Sequence, residues 1–77
     1  MKWSIKEEEI VCKFYLEHQN DWKQHIDIVM QELSNNDFKS RTEINVKMRI
    51  ANISNLHTGI GLSHVSKQTR ETYNRLK

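Results

Sequence analysis

The sequence contains no proline, only two glycines and a single cysteine among its 77 residues. A chain without proline, whose two glycines Gly59 and Gly61 lie close together, suits a few helices and one tight turn better than a set of strands. Cys12 has no second cysteine with which to form an internal disulfide. The N-terminal residues contain no apolar run long enough for a signal peptide or a membrane span. These absences predict a reduced, cytoplasmic, all-α protein.

Length and composition limit the function classes further. A chain of 77 residues forms one domain with a limited core, and its 36% hydrophobic and 29% charged residues are typical of a globular protein. None of the four histidines has a second histidine four residues away, which is the spacing that presents two metal ligands on one helical face. The chain also lacks a glycine-rich phosphate loop and a pattern for an activated nucleophile. We therefore predict no enzymatic activity, no bound metal and no cofactor.

Helical periodicity divides the chain into four segments. Ser4 with Glu7, and Ser40 with Glu43, have the spacing of capping boxes, and Ser66 is a third candidate cap. The pattern predicts a four-helix domain, in which a helix-turn-helix-like core of three helices is followed by a C-terminal helix. The predicted helices span about residues 5–18, 22–33, 41–56 and 67–76.

The third predicted helix has two apolar stripes and a polar strip between them. A helix with two apolar stripes needs two packing partners, so we expect the fourth helix to cover the second stripe. We also expect Trp3, Trp22 and Cys12 to lie in the core and Phe38 to fold back onto it. The first stripe contains Val46, Ile50 and Ile53, the second contains Ile44, Met48 and Ala51, and the polar strip contains Asn45, Arg49 and Asn52.

Charge is distributed unevenly along the chain. Residues 1–38 have four lysines and eight acids, a net charge of −4, whereas residues 39–77 have eight basic residues and two acids, a net charge of +6. This division has two interpretations. Either the C-terminal half faces a polyanion, or the two halves attract each other when the chain folds.

Several residues resemble the Myb/SANT three-helix repeat. Trp3-Ser4 followed by Glu7, Trp22 nineteen residues after Trp3, and Arg41-Thr42 at the start of the third helix match that family's pattern. The resemblance implies a helix-turn-helix fold in which the third helix contacts DNA and Asn52 matches a base-contacting asparagine. The chain departs from the family at Ile44 and Met48, because aliphatic side chains cannot form hydrogen bonds with base edges.

A second resemblance covers residues 41–70. Arg41, Asn45-Val46, Met48-Arg49-Ile50, Asn52-Ile53 and Gly61-Leu62-Ser63 follow a pattern similar to the N-terminal module of bacterial HNH-type restriction endonucleases. The catalytic HNH part is absent from the sequence, so no nuclease activity is implied. This likeness suggests a phage or mobile-element origin, or the detached head of a restriction-related protein.

Together these patterns predict a small module that binds duplex DNA through its third helix and its basic C-terminal half. Its cations would neutralise phosphates, provided that they share one solvent-facing surface, and a homodimer would strengthen the binding. The alternative is a protein-interaction adaptor, which uses the acidic N-terminal half or an exposed stripe of Ile44 and Met48. Exposure of that stripe would favour the adaptor, and ion pairs between Arg49 and an acid of the first two helices would weaken the case for DNA. The candidate DNA-binding residues are Arg41, Asn45, Lys47, Arg49, Asn52, Lys67, Arg70 and Arg75.

Overall fold

The computed structural model describes residues 3–59 and 65–77, and within these ranges it contains four α-helices and no strand. The prediction of an all-α four-helix domain is therefore confirmed. Helix α1 spans Ile5–Glu17, a short 3₁₀ helix spans Trp22–Gln24, α2 spans Ile26–Asn35, α3 spans Glu43–Thr58 and α4 spans Lys67–Leu76. None of these helices combines the length and the apolarity that crossing a membrane would require.

Two of the three predicted N-caps are present. The Ser4 side chain accepts a hydrogen bond from the Glu7 backbone N–H at 3.2 Å, and the Glu7 carboxylate accepts one from the Ser4 N–H at 3.0 Å, which completes a capping box. Ser66 caps α4 by accepting a hydrogen bond from the Thr69 N–H at 3.2 Å. Each bond satisfies a backbone donor that the first turn of a helix leaves without an intrahelical acceptor.

The predicted cap of the third helix is wrong. Thr42 is the N-cap of α3, and its hydroxyl accepts a hydrogen bond from the Asn45 N–H at 3.1 Å. Ser40 precedes the helix, and Glu43 binds Lys47 on the next turn instead of reaching back to a serine. The helix therefore begins at Glu43 and not at residue 41, because the hydroxyl of Thr42, two residues after Ser40, caps it instead.

The predicted second helix is interrupted. Helix α1 ends at Glu17, the 3₁₀ helix places the buried Trp22 in the core, and α2 begins only at Ile26. The His25 N–H donates to the Trp22 carbonyl at 3.1 Å, which is the i to i+3 pattern of a 3₁₀ turn. Both elements direct apolar side chains inward, Trp22 from the 3₁₀ helix and Ile26, Val29 and Leu33 from α2.

The end of α2 turns through a left-handed residue. Asp37 has a φ of 66°, and the Phe38 N–H donates to the Leu33 carbonyl at 2.9 Å while the Asp37 N–H donates to the Ser34 carbonyl at 3.0 Å. This pair of bonds is a Schellman motif. It returns the half-buried Phe38 to the core beside Leu33, as predicted.

Helix α3 is longer than predicted. It continues to Thr58 and is terminated by Gly59, whose φ of 79° is the left-handed conformation that glycine adopts without steric penalty. The Gly59 N–H donates to the Asn55 carbonyl at 2.8 Å. The predicted turn therefore begins two residues later than expected, and the Gly61-Leu62-Ser63 motif lies outside the described residues.

Helix α1 lies at the centre of the fold and packs against each of the other three helices. The buried faces of α2, α3 and α4 converge on it, and Trp3, Trp22 and Cys12 all lie in the core as predicted. The core contains Trp3, Val11, Cys12, Phe14, Tyr15, Trp22, Ile26, Val29, Leu33, Val46, Ile50, Ile53 and Tyr73.

Candidate interaction surfaces

The solvent face of α3 presents two large aliphatic side chains one turn apart. Ile44 is 70% exposed and Met48 is 63% exposed. The prediction that the fourth helix covers this stripe is wrong. Helix α4 reaches α3 instead through Thr69 and Tyr73, near Arg49 and His57 on another side of α3, so it leaves Ile44 and Met48 in solvent.

The predicted polar strip of α3 is divided between solvent and the interior. Asn45 is exposed, whereas Asn52 and Arg49 are half-buried. An amide or guanidinium that reads base edges has to enter a groove, and of the three only Asn45 is exposed at the surface.

Arg41 is buried and bound to α1. Its Nε donates to Glu7 Oε2 at 2.6 Å, a second guanidinium nitrogen donates to Glu7 Oε1 at 3.1 Å, and its guanidinium lies 4.5 Å from the Trp3 ring centroid. The hydrogen bonds from Arg41 hold the pKa of Glu7 below its ordinary value, and the same contact raises the pKa of Arg41. This arginine is part of the interior and does not face a phosphate.

Arg49 also lies over the Trp3 ring. Its guanidinium lies 4.9 Å from the ring centroid, forms an ion pair with Glu8 at 3.0 Å and donates to the Thr69 hydroxyl at 2.7 Å. Thr69 in turn donates to Glu8 Oε1 at 2.8 Å. The network links α1, α3 and α4 around a tryptophan held by two cations, which is a favourable geometry for an indole.

Two further cations form ion pairs at the surface. Arg75 of α4 donates to Glu9 at 2.7 Å, and Lys47 lies 3.0 Å from Glu43 on the preceding turn of α3. The prediction that the cations of the last two helices share one solvent-facing surface is therefore wrong for Arg41 and Arg49. For Arg41, Arg49 and Arg75, the interpretation in which the two halves of the chain attract each other is confirmed.

Several exposed basic residues lie along the outer side of α4. Lys67, Arg70, Asn74 and Lys77 are all exposed and recur at the spacing of one helical stripe, with Arg75 and Glu71 beside them. The Lys77 ammonium lies 5.5 Å from the centroid of the Tyr73 ring. This stripe is the most basic surface that the structure gathers on one helix among the described residues.

A group of side chains that we did not predict lies between α1 and α2. His18, Asp21 and His25 each offer one ligand atom, and these atoms all lie within 4.8 Å of one another. The i, i+4 rule missed the group because the two histidines are seven residues apart and belong to different helix ends. The spacing of Asp21, three residues after His18 and four before His25, was the signal that could have found it.

The single thiol lies in the core and has no histidine partner among the contacts that the structure describes. Cys12 is 1% exposed, and burial together with the Glu8 carboxylate raises the pKa of its thiol to about 11. A thiol with a raised pKa is a poor nucleophile at neutral pH, because the thiolate is the reactive form.

Comparisons with known proteins find no matching family model, no matching curated protein and no matching solved structure. The resemblances to the Myb/SANT repeat and to the restriction-endonuclease module therefore stay predictions.

Proposed function

We propose that this domain is a protein-interaction module that pairs α3 with α3 of a second copy. The observation that carries the proposal is the exposed aliphatic pair Ile44 and Met48 on α3. The opposite face of this helix, with Val46, Ile50 and Ile53, is already buried in the core. Single exposed aliphatic residues are normal on protein surfaces, but two large ones stacked one turn apart form a continuous apolar ridge.

The ridge is complementary to itself. In an antiparallel pairing of two α3 helices around a two-fold axis, Ile44 of one copy meets Met48 of the other, and the reciprocal contact follows by symmetry. A two-fold arrangement of this kind uses one patch twice and closes after two copies.

Charge supports a protein occupant over a polyanion at this surface. Lys47 is the cation beside the ridge, and Glu43 binds it within the same helix. Because Glu43 and Lys47 lie on the same flank of α3, an antiparallel copy brings each of them near the oppositely charged residue of its partner. Two copies therefore meet without net repulsion, whereas a phosphate backbone would meet an apolar ridge and a neutralised ion pair.

Sedimentation equilibrium over a wide range of protein concentration tests the proposal. An interface this small lies below the size of stable complexes, so we expect a dissociation constant on the order of 100 µM. Replacing the ridge with Ile44→Ser and Met48→Ser should weaken the association at least about tenfold, since it removes apolar surface from the contact. The matched control is Ile28→Ser, which removes an aliphatic residue that is 46% exposed on α2.

Two outcomes would overturn the proposal. One is a protein that stays monomeric up to millimolar concentration. The other is an Ile28→Ser variant that dissociates as readily as the double variant. Circular dichroism of each variant establishes that helix content is retained.

The outer stripe of α4 favours a second candidate function, binding of duplex DNA. Lys67 and Lys77 mark the two ends of this basic helical face, and the cations along it supply non-specific phosphate contacts. Such binding should weaken with salt, with a slope of roughly −3 in log K against log salt concentration. Lys67→Glu with Lys77→Glu should abolish it, whereas Lys13→Glu on α1 should not. Absence of binding to any duplex at low salt excludes this candidate.

A further inference from the structure

The junction of α1 and α2 brings together three metal-binding side chains from separate local structures. His18 is the C-cap of α1, Asp21 precedes the 3₁₀ helix, and His25 precedes α2. The Asp21 carboxylate lies 3.2 Å from His25 Nε2 and 3.7 Å from His18 Nδ1, and the two imidazole rings have centroids 5.0 Å apart. One carboxylate thus lies between two imidazoles on one side of the junction.

Backbone hydrogen bonds hold this junction in place. The His18 N–H donates to the Phe14 and Tyr15 carbonyls, the Asp21 N–H donates to the His18 carbonyl at 3.2 Å, and the His25 N–H donates to the Trp22 carbonyl at 3.1 Å. Below the junction the Trp22 ring is buried, and the Phe14 ring lies 4.8 Å from the His18 ring. The three side chains therefore project from a backbone that is already ordered, which lowers the entropy that a ligand has to overcome.

We propose that His18, Asp21 and His25 form a binding site for a divalent transition-metal ion, with Zn²⁺ as the ion that the donor set suits. Two imidazole nitrogens and one carboxylate oxygen are the donors of three-ligand zinc sites, in which water fills the fourth position. Bond lengths of 2.0–2.1 Å place the ligands of a tetrahedral zinc about 3.4 Å apart, and one Asp21 oxygen lies 3.2 Å from His25 Nε2 while the other lies 3.7 Å from His18 Nδ1. The three ligand atoms lie within 4.8 Å of one another, and rotation of exposed or half-buried side chains brings them to the zinc spacing.

The surroundings favour a cation. The C-terminal end of α1 at His18 carries partial negative charge and the N-terminal end of α2 at His25 carries partial positive charge, so the two helix ends nearly offset each other and Asp21 decides the sign. Asp21 supplies one full negative charge directly to the site. Bound metal would tie the end of α1 to the start of α2 and so stabilise the contact between the two helices.

Thermal unfolding of the full chain with ZnCl2, and visible absorption with Co²⁺ as a spectroscopic probe, test the proposal at neutral pH. At zinc concentrations about a hundredfold above the dissociation constant, the Tm should rise by more than about ten degrees. Co²⁺ should develop the intense visible bands of a tetrahedral complex at one ion per chain. Excess EDTA should reverse both effects.

Matched variants locate the ion. Asp21→Asn and His25→Gln should each abolish the Tm shift and the Co²⁺ bands, whereas Asp27→Asn, which neutralises an exposed aspartate of α2, should leave both unchanged. Melts without metal show whether each variant is folded. The proposal is overturned if the wild-type protein shows neither effect, which would make the group an ion pair only. It is also overturned if Asp21→Asn keeps the full effect, or if sedimentation shows the metal bridging two chains instead of binding within one.

Discussion

Removing Arg41 should destabilise this domain far more than removing any exposed cation. Arg41→Met deletes two charged hydrogen bonds to Glu7 and the stacking of a guanidinium on Trp3. It leaves the Glu7 carboxylate buried, with only the Ser4 backbone and hydroxyl still bonded to it. Loss of one partner from a buried pair costs about 3–5 kcal/mol, and the remaining bonds to Ser4 place this case near the lower end, at about 3 kcal/mol.

That loss is large for a chain of this length. A domain of 77 residues has a free energy of unfolding of about 4–12 kcal/mol, so the variant should melt at least about ten degrees lower. Urea denaturation at neutral pH measures the difference directly. The control Lys47→Met removes a cation from the exposed ion pair with Glu43 and should cost less than about 0.5 kcal/mol.

The pH dependence provides an independent check on the same ion pair. The hydrogen bonds from Arg41 lower the pKa of Glu7, so its contribution to stability is complete above the pKa of the unfolded chain, about 4.3. It is lost as the pH falls through the lower pKa of the folded state. Arg41→Met lacks the hydrogen bonds that lower the pKa of Glu7, so the variant should lose less stability than the wild type between neutral pH and pH 3.

A double-variant cycle completes the test. Arg41→Met combined with Glu7→Gln should recover part of the loss, because no buried charge is left without its partner. A cost below about 1 kcal/mol for Arg41→Met, or an acid sensitivity of that variant equal to that of the wild type, would contradict this role of the ion pair.

Three smaller predictions follow from the left-handed turns, the buried thiol and a hydrogen bond between helices. Both left-handed positions have positive φ, which glycine adopts without strain, so Asp37→Gly should stabilise the domain by up to about 1 kcal/mol and Gly59→Ala should destabilise it by about 1 kcal/mol. Urea denaturation measures both changes, and two variants that shift the free energy of unfolding in the same direction would contradict this. The Cys12 thiol should react with a disulfide reagent at pH 8 only after urea is added, because burial protects it and raises its pKa to about 11; rapid reaction of the native protein would disprove it. Tyr73→Phe should cost about 1 kcal/mol in thermal melts, because it removes the 2.7 Å hydrogen bond between the Tyr73 hydroxyl and His57 Nδ1, and an unchanged Tm would contradict it.

The local structure of this protein could largely be predicted from the sequence. Helical periodicity located all four helices, and the capping patterns at Ser4 and Ser66 located the starts of α1 and α4 correctly. These features depend on residues within a few positions of one another, whose spacing determines which backbone groups meet. The errors at α2 and α3 also have local causes, a 3₁₀ turn at Trp22 and a second hydroxyl at Thr42.

The surfaces were decided by the tertiary structure. From the sequence, Arg41 and Arg49 could face either a polyanion or the acids of the N-terminal half, and only the packing of α1 against α3 and α4 placed Glu7 and Glu8 within reach of them. Likewise, both stripes of α3 looked ready for burial, but α4 reaches that helix near Arg49 and His57 and leaves Ile44 in water. Sequence spacing determines which side of a helix a residue occupies, whereas the partner of that side depends on how distant segments pack.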